Sequence, residues 1–231
     1  MFQFKQFSIH QEKCAMKVTE IACIQGAYTP IATSAKSILD IGSGTGLLSL
    51  MLAQRFPQIE IDALEIDEQS FIQGEENIQA SPFSSQINCL HADVTLHLFT
   101  KKYDFIIVNP PFFENQLKSP NVIKNKAWHS TELTLEKLIG VIKNNLSQSG
   151  ACSILLPIER KNELEHFIST HNLFLNQYLL IQPNENLQVK YFIAILSFQK
   201  TDLHIDNLTI KEKGVYTDRT NTLFKNFYLK L

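Results

Sequence analysis

Between residues 37 and 198 the chain alternates short apolar runs with amphipathic stretches. Apolar runs bounded by turn residues read as buried strands, and apolar positions three or four apart read as helices. Strands are therefore expected at 38–41, 59–66, 87–91, 103–108 and 151–156, and helices at 47–55, 68–80, 133–146 and 159–171. The third of these helices begins near Ser130, Thr131 and Thr134, residues that cap helix starts. Near the N-terminus, Phe2, Phe4, Phe7 and Ile9 suggest one short alternating strand, and 15–28 a helix closed by Pro30. Two late strands, 176–181 and 191–198, follow one another with no helix between them, so an antiparallel hairpin is expected to end the sheet. The alternation predicts an α/β fold with a doubly wound, mostly parallel, seven-stranded sheet and helices on both faces. One domain is expected over 1–231, with 1–36 an N-terminal extension packed on it.

Composition narrows the class. A chain of 231 residues can bury one sizeable α/β core but is short for two. With 44% hydrophobic and 19% charged residues it reads as globular and not disordered. No apolar run reaches the roughly 18–20 residues that span a bilayer, and the first residues lack the apolar region of a signal peptide. A membrane partner is not expected, and the location is read as cytoplasmic. Cys14, Cys23, Cys89 and Cys152 are widely spaced with no Cys-x-x-Cys pair, which points to reduced thiols and away from a zinc site or disulfide framework. No metal is expected from the histidines either, because none has His-x-x-x-His spacing.

A net charge of −2 is not the footprint of a general nucleic-acid binder. The charge is uneven, however. Lys118, Lys124 and Lys126 lie in a stretch without acids, and Lys211, Lys213, Arg219, Lys225 and Lys230 outnumber Glu212 and Asp218 near the C-terminus. These form either a local basic surface, with Lys118, Lys124, Lys126 and Lys225 as RNA contacts, or a solvated lysine-bearing face.

Two motifs carry chemistry. Asp40-Ile41-Gly42-Ser43-Gly44-Thr45-Gly46 follows a strand and enters a helix. Glycines there allow a tight turn and close approach of a ligand. An acid two residues before the first glycine would repel a pyrophosphate but suits a cation or ammonium, which favours S-adenosyl-L-methionine (SAM) over a dinucleotide. A plain structural turn is the competing reading. At the end of the next strand, Glu65 or else Asp67 is placed to accept hydrogen bonds from ribose hydroxyls, Asp67 being also a candidate helix cap. After the third strand comes His91-Ala92-Asp93. Asp93 is placed to accept from an adenine amine with the Ala92 backbone at the ring edge, unless it is an ordinary loop aspartate.

The second motif is Asn109-Pro110-Pro111-Phe112, at the end of the fourth strand of the alternating block. The Asn109 side-chain oxygen and the Pro110 carbonyl can accept both N–H bonds of an amine whose lone pair is conjugated. That aims the lone pair at a donor methyl and stabilises charge developing on nitrogen. Phe112 offers a π-face to a base taken out of its stack. Asn109 also counts among the expected cofactor contacts.

At this point the chain resembles class I SAM-dependent methyltransferases of the Asn-Pro-Pro-aromatic amino type. Over nearly its whole length it is similar to the bacterial tRNA1(Val) adenine-N6 methyltransferases. The resemblance rests on Phe4-Lys5-Gln6-Phe7, Ile9-His10-Gln11, Cys14-Ala15-Met16-Lys17-Val18 and Gly26-Ala27, on the motifs above, and on Phe227-Tyr228-Leu229. It implies a Rossmann-like fold, SAM as cofactor, tRNA as partner, and methylation of the adenine 3′ of the anticodon, position 37. A monomer is expected. After Met-Lys-Val the family pattern runs Gly-Thr-Asp-Gly, whereas this chain has Thr19-Glu20-Ile21-Ala22 in a segment expected over the methionine end of the cofactor. Phe112 stands where tyrosine is common. Two alternatives stay open: a protein glutamine N5-methyltransferase, since that amide suits the same clamp, and a catalytically silent SAM- or RNA-binding module.

Overall fold

The computed structural model describes residues 1–14, 16–110 and 133–230. Five parallel strands form one side of the sheet: β3 (Ser37–Ile41), β4 (Glu60–Glu65), β5 (Ile87–His91), β6 (Tyr103–Val108) and β7 (Leu146–Pro157). Between them run α2 (Leu47–Arg55), α3 (Glu68–Gln79) and α4 (Leu135–Asn145). After α5 (Lys161–Thr170) come β8 (Phe174–Asn184) and β9 (Tyr191–Ser197), and β9 lies antiparallel between β7 and β8. The full order is β11-β10-β8-β9-β7-β6-β3-β4-β5.

The sheet therefore has nine strands among the described residues, not seven, and the late hairpin does not end it. β10 (His204–Glu212) adds in parallel to β8, β11 (Val215–Tyr216) turns back on β10, and α6 (Asp218–Phe224) follows. Only Leu208 and Ile210 of β10 are buried, so its period-two signal is faint. Near the N-terminus the single expected strand is instead two short ones, β1 (Phe2–Gln3) and β2 (Ser8–Ile9), paired antiparallel. Phe4 and Phe7 stack at 4.6 Å in the turn between them. Helix α1 (Glu20–Tyr28) begins later than its apolar spacing suggests, because the Thr19 side chain caps it by accepting from the Ala22 N–H.

Alternation along the strands splits the apolar residues between two cores. Ile38, Phe105, Ile107, Leu155, Ile193 and Ile195 face one core, with side chains of α1, α2 and α6. Leu39, Ile41, Ile106, Val108, Ile154 and Leu156 face the other, with α4 and α5. Every central strand is thus covered on both sides, as a parallel sheet requires. Among the described residues no helix is long and apolar enough to cross a membrane.

The carboxyl ends of β3, β4, β5 and β6 lie side by side, and α3 packs against the turn that follows β3. A Cβ on Gly74 of α3 would lie 2.4 Å from the Gly44 carbonyl oxygen, which is rigid backbone. We expect Gly74→Ala to destabilise the fold by about 1–3 kcal/mol. Thermal denaturation checks this, and an unchanged midpoint would show that α3 can back away from the turn at no cost.

Candidate active site

The turn after β3 is bound to the end of β4. The Gly42 and Ser43 N–H groups donate to the Leu64 carbonyl at 2.8 and 3.0 Å. Gly42, Gly44 and Gly46 have φ of +70°, +53° and +80°, a region that a side chain would strain. Gly44 N–H donates to Glu65 Oε2 and Asp67 N–H to Glu65 Oε1, each at 2.8 Å. The nearly buried Glu65 carboxylate thus spans the turn and the strand end, and each oxygen keeps a further lone pair. The Asp67 side chain accepts from Ser70 N–H at 2.8 Å and caps α3.

Asp40 is fully buried beneath this turn. Its Oδ2 accepts from the Ser49 N–H (3.1 Å) and hydroxyl (2.7 Å) in the first turn of α2. Gly46, the residue at the cap position, has no side chain to serve that helix start, and Asp40 supplies the acceptor instead. Asp40 Oδ1 has no partner. Burial pushes the Asp40 carboxyl up to about 7; the two Ser49 bonds oppose that rise and nearby Glu65 adds to it.

The ends of β4 and β5 bring the next candidates together. Ala92 N–H donates to the Glu65 carbonyl at 3.0 Å. Asp93 Oδ1 accepts from both the N–H and hydroxyl of Thr95 at 2.7 Å, so part of this carboxylate braces its own loop. His91 stacks on Phe71 at 5.1 Å, with Nε2 3.1 Å from the Ile66 carbonyl oxygen. Ile66 itself is 54% exposed between these groups. A large apolar side chain directly after the strand-end acid was the available sequence signal for it, and sequence reasoning passed over it.

Asn109 and Pro110 follow β6, whose neighbours are β3 and β7. Asn109 Oδ1 is buried without a partner, and Nδ2 lies 3.8 Å from Met16 Sδ. Gln25 Nε2 donates to the Val108 carbonyl (3.1 Å) and to the Ser153 hydroxyl (3.2 Å), which also meets Thr29 Oγ1 at 3.0 Å. This polar group under the strand end was not foreseen, because Gln25 sits in an otherwise apolar helix face. Phe112, Lys118, Lys124 and Lys126 lie outside the described residues. Lys225 lies by Lys5 and Arg55 near the C-terminal end of α2, not with Asn109.

The segment before α1 crosses α3 on its way to Asn109. Asn77 accepts from the His10 N–H (2.9 Å) and donates to the carbonyls of His10 (2.8 Å) and Thr45 (3.0 Å), joining this segment to the glycine turn. Gln73 accepts from Lys13 N–H and Gln11 from Val18 N–H, at 2.9 and 2.7 Å. Ile21 packs against the first core.

Two buried acceptors, Asp40 Oδ1 and Asn109 Oδ1, therefore lack donors at the ends of paired strands. Buried acceptors without donors favour a ligand rich in N–H groups or positive charge. Asp40 and Glu65 disfavour a phosphate there. The site residues thus fit SAM, whose ammonium and hydroxyls donate. No group of three or more His, Cys, Asp or Glu among the described residues could hold a metal ion.

The arrangement is that of the class I methyltransferases. A predicted O-methyltransferase from Agrobacterium tumefaciens shares the fold, with a TM-score of 0.67 over 89% of this chain and 95% of that one at 16% identity. Residues 28–156 match the methyltransferase small domain family. The tRNA1(Val) (adenine(37)-N6)-methyltransferase of Dyadobacter fermentans is 39% identical over 99% of this chain and 97% of its own length. That of Christiangramia forsetii is 37% identical over 100% and 98%. The chain belongs to this tRNA1(Val) (adenine(37)-N6)-methyltransferase family, within the methyltransferase small domain proteins.

Because the Asp40 carboxyl is raised from 3.8 to about 7 in the fold, its contribution to stability is full below about pH 4 and is lost as pH rises through 7. The melting temperature of the ligand-free protein should fall between about pH 4 and 7, and Asp40→Asn should flatten that fall. Parallel melting profiles for the two proteins would contradict the assignment.

Proposed function

We propose that the protein transfers a methyl group from SAM to the N6 amine of an adenine in tRNA, with adenine 37 of tRNA1(Val), the acceptor in its relatives' names, as the target. The observation that carries this reading is the buried, partnerless Asn109 Oδ1 next to the Pro110 carbonyl, one strand away from the glycine turn.

Each cofactor-facing residue has one task. Glu65 accepts from the ribose hydroxyls through its remaining lone pairs, since Asp67 is committed to capping α3. Asp40 would supply, from its buried carboxyl beneath the turn of Gly42, Gly44 and Gly46, the negative charge that suits the ammonium. Ile66 would offer an apolar contact for the adenine, and Asp93 and the Ala92 backbone polar ones. When bound, the cofactor supplies an electrophilic methyl on a sulfonium.

At the acceptor end, Asn109 Oδ1 and the Pro110 carbonyl each accept one N–H of the target amine. The nitrogen lone pair is then held toward the methyl, and the two dipoles oppose positive charge growing on nitrogen. Phe112 stacks on the extruded base. Met16 Sδ lies 3.8 Å from Asn109 Nδ2, the amide atom not used to accept from the target amine. The protein is proposed to act on tRNA in the cytoplasm, as a monomeric single domain with residues 1–36 packed against the sheet.

Purified protein incubated with methyl-labelled SAM and tRNA lacking the modification should yield label in N6-methyladenosine. Label in protein glutamine, or in no acceptor despite SAM binding, would overturn the reading. Asn109→Ala should lower transfer about 100-fold or more while changing SAM affinity little. Equal losses in both would mean that Asn109 mainly builds the cofactor site.

A further inference from the structure

Near the C-terminal end of α2, well away from the clamp, a cavity of about 560 Å³ is lined by Lys5, Gln6, Gln54, Arg55, Phe56, Lys225 and Asn226. Three cations and no carboxylate line it. The two chain ends meet here: Lys5 N–H donates to the Phe227 carbonyl at 2.8 Å, Lys5 Nζ to the Lys225 carbonyl, and Gln54 Nε2 to the Asn226 carbonyl at 2.7 Å.

Arg55 is mostly buried, yet its guanidinium makes one hydrogen bond among the described residues, to the Gly26 carbonyl at 2.7 Å, and lies 4.7 Å over the Phe56 ring. Burial pulls its pKa down to about 10, as expected of a cation with no anion beside it. Lys5, Arg55 and Lys225 take part in none of the ion pairs among the described residues. Two other basic residues of the C-terminal region are paired, Lys211 with Glu20 and Arg219 with Asp206. The C-terminus of α2 offsets roughly half a positive charge. More than two charges are left uncompensated around one polar, open cavity.

We propose that this cavity is a phosphate site that grips the backbone of the substrate RNA at a distance from the reacting nucleotide, an inference that rests on the proposed tRNA methylation. The free N–H groups of Arg55 match phosphate oxygens in a fork, and the two lysines add mobile point charges. The nine residues of α2 separate Arg55 from the glycine turn by about 12 Å along the helix. A folded RNA that delivers one nucleotide to Asn109 extends well past that distance. Such a contact sets the position and orientation of the RNA and reads no sequence.

The exposed side chains make the test tractable, since Lys5→Gln with Lys225→Gln removes two charges from the surface. Binding of tRNA is measured across a salt series for wild type, this double variant, and Lys200→Gln as a surface control, with SAM affinity read without RNA. The double variant should bind tRNA about tenfold more weakly at 0.1 M salt, with the slope of log K against log salt shallower by about 1–2. SAM affinity and the control should match wild type. An unchanged salt slope in the double variant, or an equal loss in Lys200→Gln, overturns the proposal even if wild type methylates tRNA. Inorganic phosphate is titrated separately. Phosphate binding that the double variant abolishes, with tRNA affinity unaltered, assigns the cavity to a free anion and overturns the RNA assignment. Absence of methyl transfer to tRNA by wild type instead defeats the proposed function itself.

Discussion

The hydrogen bonds from Ser49 to Asp40 join the strand, the turn and the helix on which the site depends. Asp40 leaves water entirely and serves the start of α2, where Gly46 offers no side chain. With Asp40 in place the chain can turn through three glycines and meet β4 through Glu65. The cost is an acid whose second oxygen has no donor in the protein. Burial of that kind is unfavourable for folding and favourable for a cationic ligand that supplies the missing donor. The carboxylate proposed to serve SAM is thus one that the fold buries with an oxygen left unpaired.

Two further contacts keep the edge in register. Gly74 lets α3 approach the turn, and Asn77 ties the turn to the N-terminal segment that carries Met16 to Asn109. Cofactor site and acceptor site are thereby built from one set of strand ends. The basic cavity lies outside this set. Its residues come from both chain ends and α2, so folding of the sheet brings them together.

Much of this was legible in the chain. Strands at 87–91 and 103–108 and the helix at 47–55 coincide with β5, β6 and α2, since each has strong apolar periodicity and a clear stop. The glycine turn and the acids at Glu65 and Asp93 followed from spacing after strands. β10, β11 and α6 were missed because few of their side chains are buried and their pattern is mostly polar. The N-terminal turn was missed because Phe4 and Phe7 point inward from a bend, which imitates alternation. Gln25, Asn77 and Met16 carried no local signal, as their partners lie 83, 67 and 93 residues away. Lys225 was read as part of a basic run, whereas partners at Glu20 and Asp206 neutralise two members of that run, and of the remaining three Lys225 lies by Arg55.

Asp40 is held as a destabilised acid open to a cation. Titration of its carboxyl carbon by NMR, assigned with Asp40→Asn and followed without and with SAM, measures this directly. A pKa of about 7 is expected in the free protein, with a fall of about two units when SAM binds. A pKa that stays put or rises on binding would contradict it.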